Sequence, residues 1–162
     1  MRISPLVLVL GVTASTMSVA GLAQRQPVDP ASAALVEQAE ELMEQGKLVE
    51  ADDTLEAALV IDPKNEDAFT AMAKVAIEQR LYGQAISYGR KALIIDPTDR
   101  EALAVQGEAL VQIGATDRAR QNLAKLAELC GNDCTERTKL AAAIRRGPVL
   151  AAAETPDAPQ PN

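Results

Sequence analysis

The sequence predicts an all-α solenoid: three stacked helix–turn–helix units closed by one further helix. Three observations carry this. Ala58-Leu59-Val60-Ile61-Asp62-Pro63 returns 34 residues later as Ala92-Leu93-Ile94-Ile95-Asp96-Pro97. Ala39 matches Ala73, Ala51 matches Ala85, and a third, more worn copy keeps Leu103, Gly107, Leu110, Ala119 and Leu123 in step. Within each copy the apolar residues step by three and four, which places them on one face of a helix. A fixed period of this length marks a stacked repeat, and such stacks present surfaces for partners more often than pockets for chemistry.

The elements follow in order. Asp29-Pro30 offers a cap and then proline in the first turn, where its missing N–H costs nothing. Leu35, Ala39 and Leu42 mark the first helix; Ala51, Leu55, Ala58 and Leu59 mark its partner. The second unit repeats this with Phe69, Ala73 and Ala76, then Ala85, Tyr88, Ala92 and Leu93. The third has Leu103, Gly107 and Leu110, then Ala119, Leu123, Leu126 and Ala127. The turns inside the units are Gln45-Gly46-Lys47, Arg80-Leu81-Tyr82 and Gly114-Ala115-Thr116, with Gly46 and Gly114 suited to a left-handed helix end. Asp62-Pro63 and Asp96-Pro97 end the second helices, because the residue before proline avoids helical geometry. Asn65 is placed to cap the next helix, and Thr98 with Glu101 has the spacing of a capping box. Small residues at Ala39, Ala73 and Gly107, and at Ala51, Ala85 and Ala119, mark where helices approach closely. Thr135 to Arg146 reads as the closing helix, with Leu140, Ala143 and Ile144 inward and Glu136, Arg137, Lys139 and Arg145 mostly outward.

The ends are expected to lie outside the fold. Residues 1–23 carry one charge, Arg2, then an apolar stretch, then small residues up to Gly21-Leu22-Ala23, the layout of a cleaved secretory signal. The alternative is an uncleaved membrane anchor, but Thr13, Ser15, Thr16 and Ser18 dilute the apolar run well short of the ~20 residues a bilayer needs. Residues 24–31 read as a linker. Residues 147–162 hold four of the nine prolines and a run of alanines, and read as a disordered tail.

Composition narrows the function. The formal net charge is -7, and an acidic chain repels both phosphate backbones and anionic membrane surfaces. No nucleic acid is expected as a partner, nor a membrane once the leader is removed. The chain has no histidine, no glycine-rich phosphate loop and no Gly-x-Ser-x-Gly elbow, so no catalytic residue, cofactor or metal site is expected. Cys130 and Cys134 bracket Gly131-Asn132-Asp133. An export signal favours a disulfide between them. A metal would want two more soft ligands, and a redox pair would normally have two intervening residues rather than three.

The repeat pattern resembles the tetratricopeptide repeat family in its small residue within each first helix, its alanine early in each second helix and its late alanine followed by proline. The resemblance covers residues 32–65, 66–99 and 100–133, with residues 134–146 as the capping helix, and implies a right-handed superhelical α-solenoid. There are departures. The usual tryptophan place holds Leu35, Phe69 and Leu103; the usual tyrosine place holds Leu42, Ala76 and Leu110; Leu126 replaces the late alanine of the third copy.

Members of that family bind proteins or peptides in the groove lined by the first helices. By that resemblance the groove would be lined by Ala33, Val36, Glu40, Met43 and Glu44, then Asp67, Thr70, Lys74, Ile77 and Glu78, then Glu101, Ala104, Glu108, Val111 and Gln112. One lysine stands there among six acids. The branch that clamps a terminal carboxylate needs basic and amide side chains, which Val36, Glu40, Ala71, Glu101 and Val105 do not supply. A partner segment bearing Lys or Arg with apolar neighbours fits better. The expected role is a non-enzymatic interaction scaffold of the bacterial cell envelope, exported to the periplasm. The alternatives are a thiol–disulfide helper using Cys130 and Cys134, or a structural subunit anchored in the inner membrane through residues 1–23.

Overall fold

The computed structural model describes residues 27–131 and 134–149. The proposed signal, residues 24–26 of the linker, Asn132 and Asp133 of the turn between the cysteines, and residues 150–162 lie outside the described residues. Seven helices follow one another among the described residues: α1 (Pro30–Glu44), α2 (Leu48–Ile61), α3 (Glu66–Glu78), α4 (Tyr82–Ile95), α5 (Arg100–Gln112), α6 (Thr116–Cys130) and α7 (Thr135–Arg146). None of them is long and apolar enough to cross a membrane. Each odd helix packs on the even helix after it, and both helices of one unit pack on the first helix of the next. α1 starts at Pro30, so the last two residues of the predicted linker form its first turn.

The caps follow local chemistry. Asp29 accepts from the Ala31 N–H at 2.8 Å, and Asn65 accepts from the Ala68 N–H at 3.2 Å. Buried Asn65 also donates to Ser32 Oγ, which in turn donates to the Ala58 carbonyl, tying α1, α2 and the start of α3 together. The expected Thr98 cap is corrected by one residue. Asp96 Oδ1 captures both the N–H and the hydroxyl of Thr98, and Asp99 then caps α5 through the Glu101 and Ala102 N–H groups. Asp62 and Asp96 end their helices in extended geometry, as the following prolines require.

The three inner turns are superposable in their hydrogen bonds. Gly46 N–H donates to the Met43 carbonyl and Lys47 N–H to the Leu42 carbonyl, and the same pair of bonds recurs at Arg80-Leu81 and Gly114-Ala115. All three pivots have positive φ: 73° at Gly46, 60° at Arg80 and 79° at Gly114. Arg80 therefore sits in left-handed geometry that its Cβ opposes by about 1–2 kcal/mol. Glycine loses about 0.5–1 kcal/mol more backbone entropy. Arg80→Gly is accordingly expected to stabilise the fold by about 0.5–1 kcal/mol, read as a higher denaturant midpoint at unchanged slope.

The core is continuous from unit to unit. Ala39, Ala51, Leu55, Ala58, Ala68 and Val75 form its first part; Ala76, Ala85 and Ala109 bridge; Leu103, Leu110, Val111, Leu126 and Leu140 close it. The departures of the third unit answer to α7. A Cβ on Gly107 would lie 2.7 Å from both terminal methyls of Leu140, so Leu140 in its present rotamer packs on glycine where Ala39 and Ala73 stand in the other units. Leu126 is fully buried in the same cluster as Leu140. The predicted inward residues of α7 are inward: Leu140 and Ala143 are buried, and Ile144 packs against the core. Residues 147–149 of the predicted tail are described, and 150–162 are not. The Val149 N–H donates to Gln112 Oε1 at 3.0 Å, holding residues 147–149 against the end of α5.

Candidate functional site

Among the described residues, four shallow depressions of about 200–370 Å3 run along one face of the solenoid. Every residue lining them comes from α1, α3 with its cap, α5 or α7. Openings of this size suit single side chains of a bound segment better than an enclosed small molecule.

Most of the expected groove residues are brought together here. Ala33, Val36 and Glu40 share the first depression with Asp67, Lys74 and Glu101; Met43 and Glu44 share the next with Glu40 and Lys74; Ala104 and Glu108 lie in the third. Thr70, Ile77, Glu78, Val111 and Gln112 line none of the four. Thr70 is buried and its hydroxyl donates to Asp99 Oδ2 at 3.0 Å, so it holds the α5 cap. Val111 is fully buried in the core with Leu103 and Leu126. α5 is packed by α3, α4, α6 and α7. Its groove-side residues are thus Glu101, Ala104, Val105 and Glu108. Ile77 packs against the Ala76–Ala85–Ala109 cluster, and Glu78 is exposed at the end of α3.

Lys74 is the electrostatic centre of the face. Its ammonium lies 3.2 Å from Glu40 Oε1 and 2.7 Å from Glu101 Oε1, joining the first helices of all three units. Burial is the largest single influence on it and favours the neutral amine. The hydrogen bond and charge of Glu101, with those of Glu40, outweigh burial and hold the pKa above the ordinary lysine value. The lysine is thereby committed to its own chain.

Sequence reasoning missed the wall that α7 supplies. Glu136, Lys139 and Leu140 line the third depression, and Thr138, Lys139, Ala142 and Arg146 line the fourth with Glu108. Glu136 and Lys139, expected to point outward, thus face the groove. A signal was present: residues 134–146 lie one further 34-residue step beyond residues 100–112, so α7 takes the place of a first helix in a fourth unit. Its packing against both α5 and α6 is the packing that α3 and α5 have on the units before them. The groove is acidic over the first unit and mixed in charge at α7.

Cys130 and Cys134 are joined in a disulfide, with Cα atoms 5.7 Å apart. The bridge spans the end of α6 and the start of α7, and Arg137 Nη1 donates to the Gly131 carbonyl at 2.7 Å beside it. No group of metal-ligating side chains is found among the described residues.

No protein-family model matches the sequence, and no curated protein matches it. Solved structures do. The first tetratricopeptide domain of Spaghetti (RPAP3), bound to the HSP90 peptide SRMEEVD, is 22% identical with a TM-score of 0.66, over 76% of this chain and 94% of that one. The Sgt2 tetratricopeptide domain from Aspergillus fumigatus is 20% identical with a TM-score of 0.66, over 83% of this chain and 89% of that one. The second domain of human RPAP3, in complex with the HSP70 peptide SGPTIEEVD, is 16% identical with a TM-score of 0.64, over 71% and 95%. At these identities the likeness is one of fold. The chain folds as a tetratricopeptide-repeat protein, an all-α right-handed superhelical solenoid.

Proposed function

We propose that this chain is a non-enzymatic interaction scaffold of the bacterial envelope whose concave face takes a protein segment carrying Lys or Arg. The observation that carries the reading is the commitment of Lys74. Glu40 and Glu101 already neutralise it, so over the first two units the concave face offers a partner carboxylates without a free counter-charge of its own beside them. The peptides in the RPAP3 complexes carry consecutive glutamates and an aspartate. Such a segment would meet like charge here, so the shared fold supports peptide binding while the side chains favour a basic occupant. Export rests on the leader-like residues 1–23.

Exchanging Glu40, Glu44, Asp67 and Glu108 for glutamine or asparagine tests this. A basic segment selected on a peptide array should associate with the variant roughly tenfold more slowly at low salt, and its on-rate should lose most of its salt dependence. Cys130→Ser with Cys134→Ser should lower thermal stability and leave binding well below the melting temperature intact. Unchanged binding by the charge variants, with a folded but inactive serine variant, would move the function to the cysteines.

A further inference from the structure

The opposite face carries a feature that groove binding does not use. Val60 is 83% exposed and Ile94 is 73% exposed, large aliphatic side chains at equivalent places near the ends of α2 and α4. Ile61, 46% exposed, widens the strip. One unit further on, the residue equivalent to Val60 and Ile94 is Glu128, so that row is two helices wide, with Leu129 beside Glu128 39% exposed. One turn back along the same helices stand Glu56 on α2 and Arg90 on α4, both exposed and neither in an ion pair among the described residues.

We infer that this strip is the contact between two copies of the chain, related by a two-fold axis parallel to the helices and running between α2 and α4. Because the two helices are one repeat apart, that rotation sets Val60 of each copy on Ile94 of the other. The same rotation sets Glu56 opposite Arg90 twice, once on each side of the axis. A self-complementary patch is what an isologous dimer requires, and the repeat supplies it with matched shape and opposite charge. A partner of another kind would have no need of the Glu56–Arg90 exchange. Standard stable interfaces bury about 800 Å2 per partner, and this strip is smaller, so the dimer should be weak, with Kd of roughly 10 µM to 1 mM. The contact leaves the concave face open, and it stands whether or not the groove binds a basic segment.

The test is sedimentation of the full chain over roughly 10 µM to 1 mM, with helix content followed by circular dichroism. The native chain should pass from monomer to dimer. Glu56→Arg alone, or Arg90→Glu alone, faces like charges across the axis and should weaken association roughly tenfold. The two together should restore it to near the native value, since the exchange swaps the partners without changing the pairing. These side chains are exposed, so folding should be untouched; Val60→Ser with Ile94→Ser should leave a folded monomer. A native chain that stays monomeric throughout overturns the inference. So does a double charge variant weaker than either single one. Binding of phosphatidylcholine vesicles that is lost in the Val60→Ser, Ile94→Ser variant, without self-association, would assign the strip to a lipid surface and equally overturn it.

Discussion

Replacing Ala85 with leucine is expected to destabilise the protein by about 1–3 kcal/mol, while the same change at Ala115 should stay within about 0.5 kcal/mol. The difference lies in what surrounds each Cβ. Ala85 is fully buried in the cluster with Ala76 and Ala109, where α4 meets α3 and α5, with Ile77, Ile86 and Tyr88 closing around it. Three extra carbons there must push one helix away from its neighbours or force a side chain off its rotamer. Ala115 caps α6 at a turn and is only half-buried. Thermal and denaturant melts of the two variants check the expectation. Equal melting temperatures would mean that the helices do not meet at Ala85. The consequence for binding is indirect. α3 and α5 carry Lys74 and Glu101, 2.7 Å apart, so a change in α3–α5 spacing would loosen the ion pair at the centre of the groove.

The repeat made most of this fold readable, and the failures have particular causes. Asn65 acts through its own side chain on the turn that follows it, and Gly46 and Gly114 through their own backbone, so local chemistry identified their roles. Arg80 shows the limit. It adopts the same left-handed turn as Gly46 and Gly114 without being a residue that advertises it, and only the 34-residue register points there. Thr98 failed as a cap because two competing carboxylates flank it: Asp96 binds it, and Asp99 takes its place. Thr70 on α3 and Val111 on α5 share their helices with residues that line the depressions, but the α5 cap Asp99 claims the one and the core cluster the other. Their burial depends on how far the stack continues past them. The same long-range dependence explains Gly107, whose lack of a side chain has meaning only once Leu140 lies against it. The groove was legible where it is built from the first helices and illegible where α7 completes it.

Replacing Leu140 with alanine should cost more than any of the other substitutions, a loss of about 2–5 kcal/mol. Leu140 is almost wholly buried, and its methyls pack directly over Gly107. Alanine would leave that space empty. Nothing local can refill it, since the disulfide at Cys130–Cys134 and the Val149–Gln112 hydrogen bond pin α7 at both ends. In a stack where each unit touches only its neighbours, the damage should be graded along the chain. Amide hydrogen exchange should rise most in α7, α6 and α5, less in α4, and least in α1 and α2. Binding should follow the same gradient. A basic segment seated on Glu40, Glu44 and Asp67 should keep most of its affinity below the melting temperature. One that reaches Glu136 and Lys139 should lose it as α7 loosens. Uniform exchange across all seven helices would show instead that the solenoid unfolds as a single unit, so that the capping helix governs the whole groove.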